Sequence, residues 1–177
     1  MRALVIVDML NDFVEKTGAL YIPGAELLVD NILKLRNAID RVVYANDSHT
    51  ENDPEFKIYP KHCVVGTHGA QIYEKLPPAH KTTITINKQN LSMFSVTDTD
   101  KKLRELKINE LYIVGVATEY CVKAATLDAL KLGYAVYIVS DTIAGLNNKD
   151  TIVAIEEMQK AGANMLTTNQ VLDLWKN

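Results

Sequence analysis

Short apolar runs containing β-branched residues recur along this chain, and helical periods separate them. Residues 3–7 are Ala-Leu-Val-Ile-Val, apolar at every position. A run of that kind has no polar face to show to water, which is the habit of a strand inside a parallel sheet. Residues 41–46, 82–87, 111–116 and 134–139 read as further strands, and residues 163–167 as a sixth. Between the first two, Leu28, Ile32, Leu35 and Ile39 repeat at helical spacing. Asp98 can cap a helix running to about Lys107. A later helix carries Val122, Ala125, Ala129 and Leu132 on one face and stops at Gly133. Residues 151–160 and 171–175 complete the helical set.

Strand and helix in alternation imply right-handed βαβ units, and so an open parallel sheet with helices on both faces. The 177 residues fit one domain, 1–177, and 47% hydrophobic residues supply its core. No repeat, low-complexity tract or linker interrupts it. The net charge is −3 with both signs scattered, so no basic face suggests nucleic acid. The two cysteines, Cys63 and Cys121, form no C-x-x-C pair and suit a reducing compartment. The apolar start ends at Asp8, too soon for a signal peptide or a membrane span. The expectation is a cytoplasmic protein with no membrane partner. Homo-oligomers are common among such folds, and one is expected here.

Ligands of open α/β sheets bind outside the carboxyl ends of the strands. Reactive residues stand at four such ends: Asp8 after the first strand, Asp47 and His49 after the second, Lys88 after the third and Cys121 after the fourth. A thiol in the first turn of a helix feels the positive end of the dipole and nearby N–H groups. Both favour the thiolate, and the same groups can hold an oxyanion. The competing reading is a buried, inert cysteine. Asp8 is placed to accept the thiol proton, or merely to turn the chain. Lys88 can stabilise charge beside them, or lie solvated at the surface. Asp12 reads as a structural acid.

Asp47 and His49 lie two apart on an extended segment, so their side chains share one side. Glu55 and His62 follow. Asp, His, Glu and His within sixteen residues make a plausible set for Zn2+ or a similar divalent ion. A polar loop with two surface histidines is the other reading. His68 and His80 read as surface residues.

Three motifs together carry a resemblance. Val7-Asp8-Met9-Leu10-Asn11-Asp12-Phe13 resembles the opening motif of the isochorismatase-like cysteine hydrolases. Gly115-Val116-Ala117-Thr118-Glu119-Tyr120-Cys121-Val122 is similar to their nucleophile motif, in the form typical of nicotinamidases. Residues 59–70, Tyr-Pro-Lys-His-Cys-Val-Val-Gly-Thr-His-Gly-Ala, resemble the metal loop of that group. The motifs stand in the family's order along nearly the whole chain. The resemblance implies a three-layer α/β/α Rossmann-like fold around a central, mostly parallel six-stranded sheet.

It also implies a catalytic triad of Asp8, Lys88 and Cys121, and a metal held by Asp47, His49 and His62. Glu55, seven residues before His62, matches a further ligand of some nicotinamidases. The metal implied is Zn2+ first, with Fe2+ or Mn2+ suited to the same ligand types. A cis bond between Val116 and Ala117 is implied as well, turning the N–H groups of Ala117 and Cys121 toward an oxyanion. Phe13 and Tyr59 match positions that sandwich the substrate ring. Leu10 and Tyr59 depart from the Gln and Trp of many relatives, and Ser92-Met93-Phe94 matches the usual Ser-Ala-Phe loosely.

The activity so implied is conversion of nicotinamide to nicotinic acid and ammonia through a thioester on Cys121, within NAD salvage. One alternative is a related cysteine amidohydrolase acting on an N-carbamoyl, ureido or other small amide. A second is a catalytically silent binding protein on the same scaffold. A metal-free isochorismatase is disfavoured, because those enzymes do not use the cysteine.

Overall fold

The computed structural model of the protein describes residues 1–77 and 82–176. His80 lies outside the described residues. Six strands form one sheet: β1 (Arg2–Val7), β2 (Arg41–Asp47), β3 (Thr82–Lys88), β4 (Glu110–Val116), β5 (Ala135–Ala144) and β6 (Asn164–Leu166). Their spatial order is β3-β2-β1-β4-β5-β6. All five pairings are parallel. The order reverses between β1 and β4, which opens a crevice at their carboxyl ends.

Alternation along the strands feeds two separate cores. Leu4, Ile6, Val42 and Tyr44 point to one face, and Ala3, Val5, Val7, Val43 and Ala45 to the other. The first face is covered by a 3-10 turn (Ala25–Leu28) and the helices α1 (Asn11–Val14), α2 (Val29–Asn37) and α6 (Thr168–Lys176). The second is covered by α3 (Thr99–Glu105), α4 (Lys123–Lys131) and α5 (Asn148–Lys160). Helices on both faces leave only the strand ends open to ligand. No helix of the described residues is long and apolar enough to cross a membrane.

Two local expectations need correction. Asp98 stands at the N-cap position of α3, but its side chain accepts no capping hydrogen bond. Leu132 was expected on the buried face of α4, yet it is 40% exposed. It is the C-cap that follows the last residue of α4, and the chain turns away at the next residue, Gly133, at φ 82°.

Candidate active site and metal centre

Register places the reactive residues in a row. Val7 pairs with Ala45 on one side and Gly115 on the other, and Asp47 pairs with Lys88. Four adjacent strands, β3, β2, β1 and β4, therefore end side by side at Lys88, Asp47, Asp8 and the segment leading to Cys121. Asp8 leaves β1 in a left-handed conformation, φ 50°, which a non-glycine residue seldom adopts. That turn, held by Asp8 N–H donating to Ala45 O at 2.9 Å, swings the carboxylate across the crevice.

There Asp8 Oδ2 accepts Lys88 Nζ at 2.9 Å, and Asp8 Oδ1 accepts the Asp47 N–H at 2.7 Å. Lys88 Nζ also lies 3.5 Å from Cys121 Sγ and 3.4 Å from Asp47 Oδ1. Asp8 also acts electrostatically on the Cys121 thiol. Asp8 and Lys88 are each 1% exposed and Cys121 8%. The structure thus brings Asp8, Lys88 and Cys121 together. The peptide bond between Val116 and Ala117 is cis, as expected from the motif.

Burial changes the protonation argument made from sequence. Cys121 lies in a π-helical turn, Thr118–Val122, that runs into α4. Burial, and then the Asp8 carboxylate, push its thiol well above the ordinary thiol range. The expectation that the helix end favours a resting thiolate is corrected: an apolar wall and a neighbouring anion outweigh the dipole. Burial also raises Asp8, although Lys88 opposes it. For Lys88, burial pulls downward, but the carboxylates of Asp8 and then Asp47 outweigh it and hold it above its ordinary range as a firm ammonium. The resting group is therefore a protonated thiol beside a carboxylate and a fixed cation.

The second cluster adjoins the first through Asp47. Asp47 Oδ2 lies 2.9 Å from His49 Nε2 and 3.2 Å from His62 Nε2. Asp47, His49 and His62 are buried, and their ligand atoms all lie within 4.8 Å of one another. Burial raises Asp47, but His62, Lys88 and His49 outweigh it and hold the carboxyl at about 2. For His62, burial pulls down while Asp47 and the Pro60 carbonyl push it above its usual value.

Whether these residues suit a metal can be tested on the ring nitrogens. His49 Nδ1 faces Asp53 Oδ2 at 3.0 Å, and His62 Nδ1 faces Pro60 O at 2.8 Å. Both partners only accept, so each Nδ1 is assigned the proton. In the neutral form that binds a metal, each ring then has a lone pair at Nε2, and both lone pairs face one carboxylate oxygen. Such acceptors repel unless positive charge sits among them. Two imidazoles and a carboxylate, with the outer nitrogens already engaged, fit a divalent cation.

The other expected residues are placed unevenly. Glu55 Oε1 is 3.9 Å from His62 Nε2, at the margin of the cluster, and it groups with His49 and Asp53. Phe13 is buried with its ring 5.8 Å from that of His62. Tyr59 is 40% exposed, and no ring contact joins it to Phe13 or either histidine among the described residues. His68 is exposed and paired with Glu15 at 3.0 Å.

Sequence reasoning missed two residues. Asp53 orients His49, and its other oxygen accepts Glu55 N–H at 3.0 Å. An Asp-Pro pair four residues after a candidate histidine is the signal that could have found it. Phe56 packs against both histidines, with centroids at 5.4 and 5.6 Å. Asp12 has the structural part expected: Oδ2 accepts the N–H of Cys63 at 2.7 Å and so anchors the residue after His62.

Residues 2–170 match the isochorismatase domain family. The chain is 31% identical to the nicotinamidase of Escherichia coli, over 94% of each protein. Among solved structures, it superposes on the zinc complex of Pyrococcus horikoshii pyrazinamidase with a TM-score of 0.88. Identity there is 34%, covering 94% of this chain and 98% of the other. The N-carbamoylsarcosine amidase of Thermoplasma acidophilum follows at a TM-score of 0.84 and 29% identity, covering 94% and 96%. With the fold, the order of the motifs and the matched span in agreement, the chain belongs to the isochorismatase family.

Proposed function

We propose that this protein is a cysteine amidohydrolase, and specifically a nicotinamidase that releases ammonia from nicotinamide with Cys121 as nucleophile. One observation carries the reading. The Asp8–Lys88–Cys121 group is joined through Asp47 to the Asp47–His49–His62 group, so a substrate amide and its ring can be held by adjacent devices. The nicotinamidase and pyrazinamidase relatives support the choice of substrate class.

The chemistry follows from the protonation state. Because the thiol is protonated at rest, Asp8 removes the proton as Sγ attacks the amide carbon, rather than beforehand. Lys88 keeps the anionic charge of this step from being stranded in a buried site. The N–H groups of Ala117 and Cys121 are proposed to receive the oxyanion. Asp8 passes the proton to the departing nitrogen, the C–N bond breaks, and ammonia leaves a thioester on Cys121. Water, deprotonated by Asp8, attacks that thioester; the C–S bond breaks, nicotinic acid forms and Cys121 recovers its proton. Asp47, His49 and His62, with Glu55 at the margin, would hold a divalent metal whose chemistry is to bind and orient the substrate's ring nitrogen. Phe13 and Tyr59 would flank the ring.

A second reading, hydrolysis of an N-carbamoyl or ureido amide, is favoured by the likeness to the N-carbamoylsarcosine amidase. Ammonia release from nicotinamide, pyrazinamide, an N-carbamoyl amino acid and an aliphatic amide separates the two. Nicotinamide is expected to be the fastest, with loss of rate on chelation. Silence on nicotinamide with turnover of the N-carbamoyl compound, unaffected by chelator, would replace the first reading by the second.

A further inference from the structure

The turn that carries Cys121 contains a buried acid with no part in the chemistry above. Glu119 is 9% exposed, and its Oε1 accepts the Leu146 N–H at 2.7 Å. Its Oε2 is buried and without a hydrogen-bond partner among the described residues. Withdrawing a carboxylate from water with one oxygen unpaired costs free energy, so its placement there calls for a physical account. The opposing chain is shaped to admit it. A Cβ on Gly145 would run into Glu119 Oε2 and Thr151 Oγ1.

The register of β5 explains the location. Ile113 pairs with Ile138, but Gly115 pairs with Ile143 and Val116 with Ala144. An advance of two residues on β4, 113 to 115, is matched by five on β5, 138 to 143. Strand β5 bulges away and returns to grip the last residues of β4. On the other side Gly115 lies against β1 so closely that a Cβ would strike Val7 O. Beyond Val116 the ladder ends. The bond from Leu146 to Glu119 then continues the grip of the β5 side into the turn that bears the nucleophile.

We propose that Glu119 is a positioning residue for Cys121, pinning its turn to the β5–α5 connection so that Sγ stays in register with Asp8 and Lys88. This rests on the reading of Cys121 as nucleophile. Misplacing a reacting atom by about 1 Å costs on the order of 100-fold in rate. An anchor two residues from the thiol, fixed to the connection that follows β5, is placed to prevent such a shift.

The test uses the full chain with Glu119→Ala, Glu119→Gln, Gly145→Ala and Cys121→Ala. Three readouts are taken: kcat and KM for ammonia release, thermal midpoint, and the rate of iodoacetamide alkylation at Cys121 resolved by peptide mass. Glu119→Ala is expected to lower kcat roughly 10- to 100-fold with KM within about twofold, and to change the alkylation rate in the folded protein. Glu119→Gln keeps an acceptor oxygen and should recover most of kcat. Gly145→Ala should reproduce the Glu119→Ala pattern from the other side of the contact, and it carries the test if Glu119→Ala does not fold. Unchanged kcat and alkylation in the variant that folds would overturn the proposal, as would a Gln variant as impaired as the Ala variant. Full activity in Cys121→Ala would instead remove the nucleophile reading, and the proposal with it. An inactive Cys121→Ala beside an unimpaired Glu119→Ala would remove the positioning role alone.

Discussion

The two halves of the site are built in different ways. Asp8, Lys88 and Cys121 stand at the ends of three strands whose register is set by backbone ladders and two apolar cores. A one-residue slip of any strand would exchange the side chains of its two faces between the two cores, so the positions are strongly specified. His49 and His62 stand on a loop with little regular structure. Their placement depends on individual bonds: Asp53 and Pro60 on the ring nitrogens, and Asp12 on Cys63 N–H. A parallel bridge between His49 and Val64 is the nearest thing to a ladder there. The sheet half is stiff because of what lies beneath it. The loop half is only as stiff as a handful of polar contacts. Asp47 belongs to both, since its backbone is in β2 and its carboxylate faces the histidines.

That contrast predicts where damage stays local. Cys121→Ala should cut turnover by at least about 1,000-fold while thermal midpoint and metal uptake match the parent. Near-normal ammonia release in that variant would remove the nucleophile assignment. Lys88→Met leaves Asp8 buried without its cation, and a loss of roughly 100- to 10,000-fold is expected. It should also disturb Asp47, the shared residue, so metal content is expected to fall in Lys88→Met but not in Cys121→Ala. Equal metal content in both variants would show that the halves are less connected than the Lys88–Asp47 contact of 3.4 Å suggests.

The loop half is tested by Asp53→Ala. Loss of the partner that orients a metal-binding histidine typically weakens affinity about 10- to 100-fold. Zinc titration by calorimetry should show such a drop, while alkylation of Cys121 proceeds at the parent rate. A variant with unchanged zinc affinity would mean that His49 is held by the bridge to Val64 rather than by Asp53.

The same contrast explains what was legible in the sequence. Strand ends could be found because continuous apolar runs stop where the chain leaves the sheet, as at Val7 and Val116. Asp8 and Cys121 followed from those stops, and Lys88 from the end of a strand rich in Thr and Ile. Protonation was not legible. The dipole argument for Cys121 used only the local turn, whereas its environment is set by burial and by Asp8 and Lys88, brought in at the ends of β1 and β3. Asp53 and Phe56 were missed because a 3-10 turn from Pro54 to Lys57 brings them against His49, and such a turn has no periodicity to read. Glu119 was quoted only as part of a motif, because its partner Leu146 is 27 residues away and follows an irregular stretch of β5.

The pH dependence sharpens the picture of the stiff half. Burial raises the Asp8 carboxyl above its ordinary 3.8, with Lys88 opposing. The reaction needs Asp8 ionised to take the thiol proton. Activity is therefore expected to fall as pH drops through the raised Asp8 value, at a higher pH than an ordinary carboxyl would titrate. An acid limb of kcat/KM at or below 3.8 would mean that Lys88 dominates burial at this position.

The smallest effect is expected where the loop half meets solvent. Phe56 covers the outer edges of His49 and His62 with ring centroids at 5.4 and 5.6 Å. Tilted aromatic pairs of this kind contribute about 0.5–1.5 kcal/mol beyond the area they bury. Phe56→Leu keeps most of the apolar cover but loses the ring, so a change of roughly 2- to 10-fold in zinc affinity is expected. Turnover at saturating metal should stay close to the parent, because no group of the triad touches this ring. If kcat at saturating zinc falls as steeply as zinc affinity, then the loop shapes the reacting centre itself, and the separation between a stiff half and a tethered half does not hold.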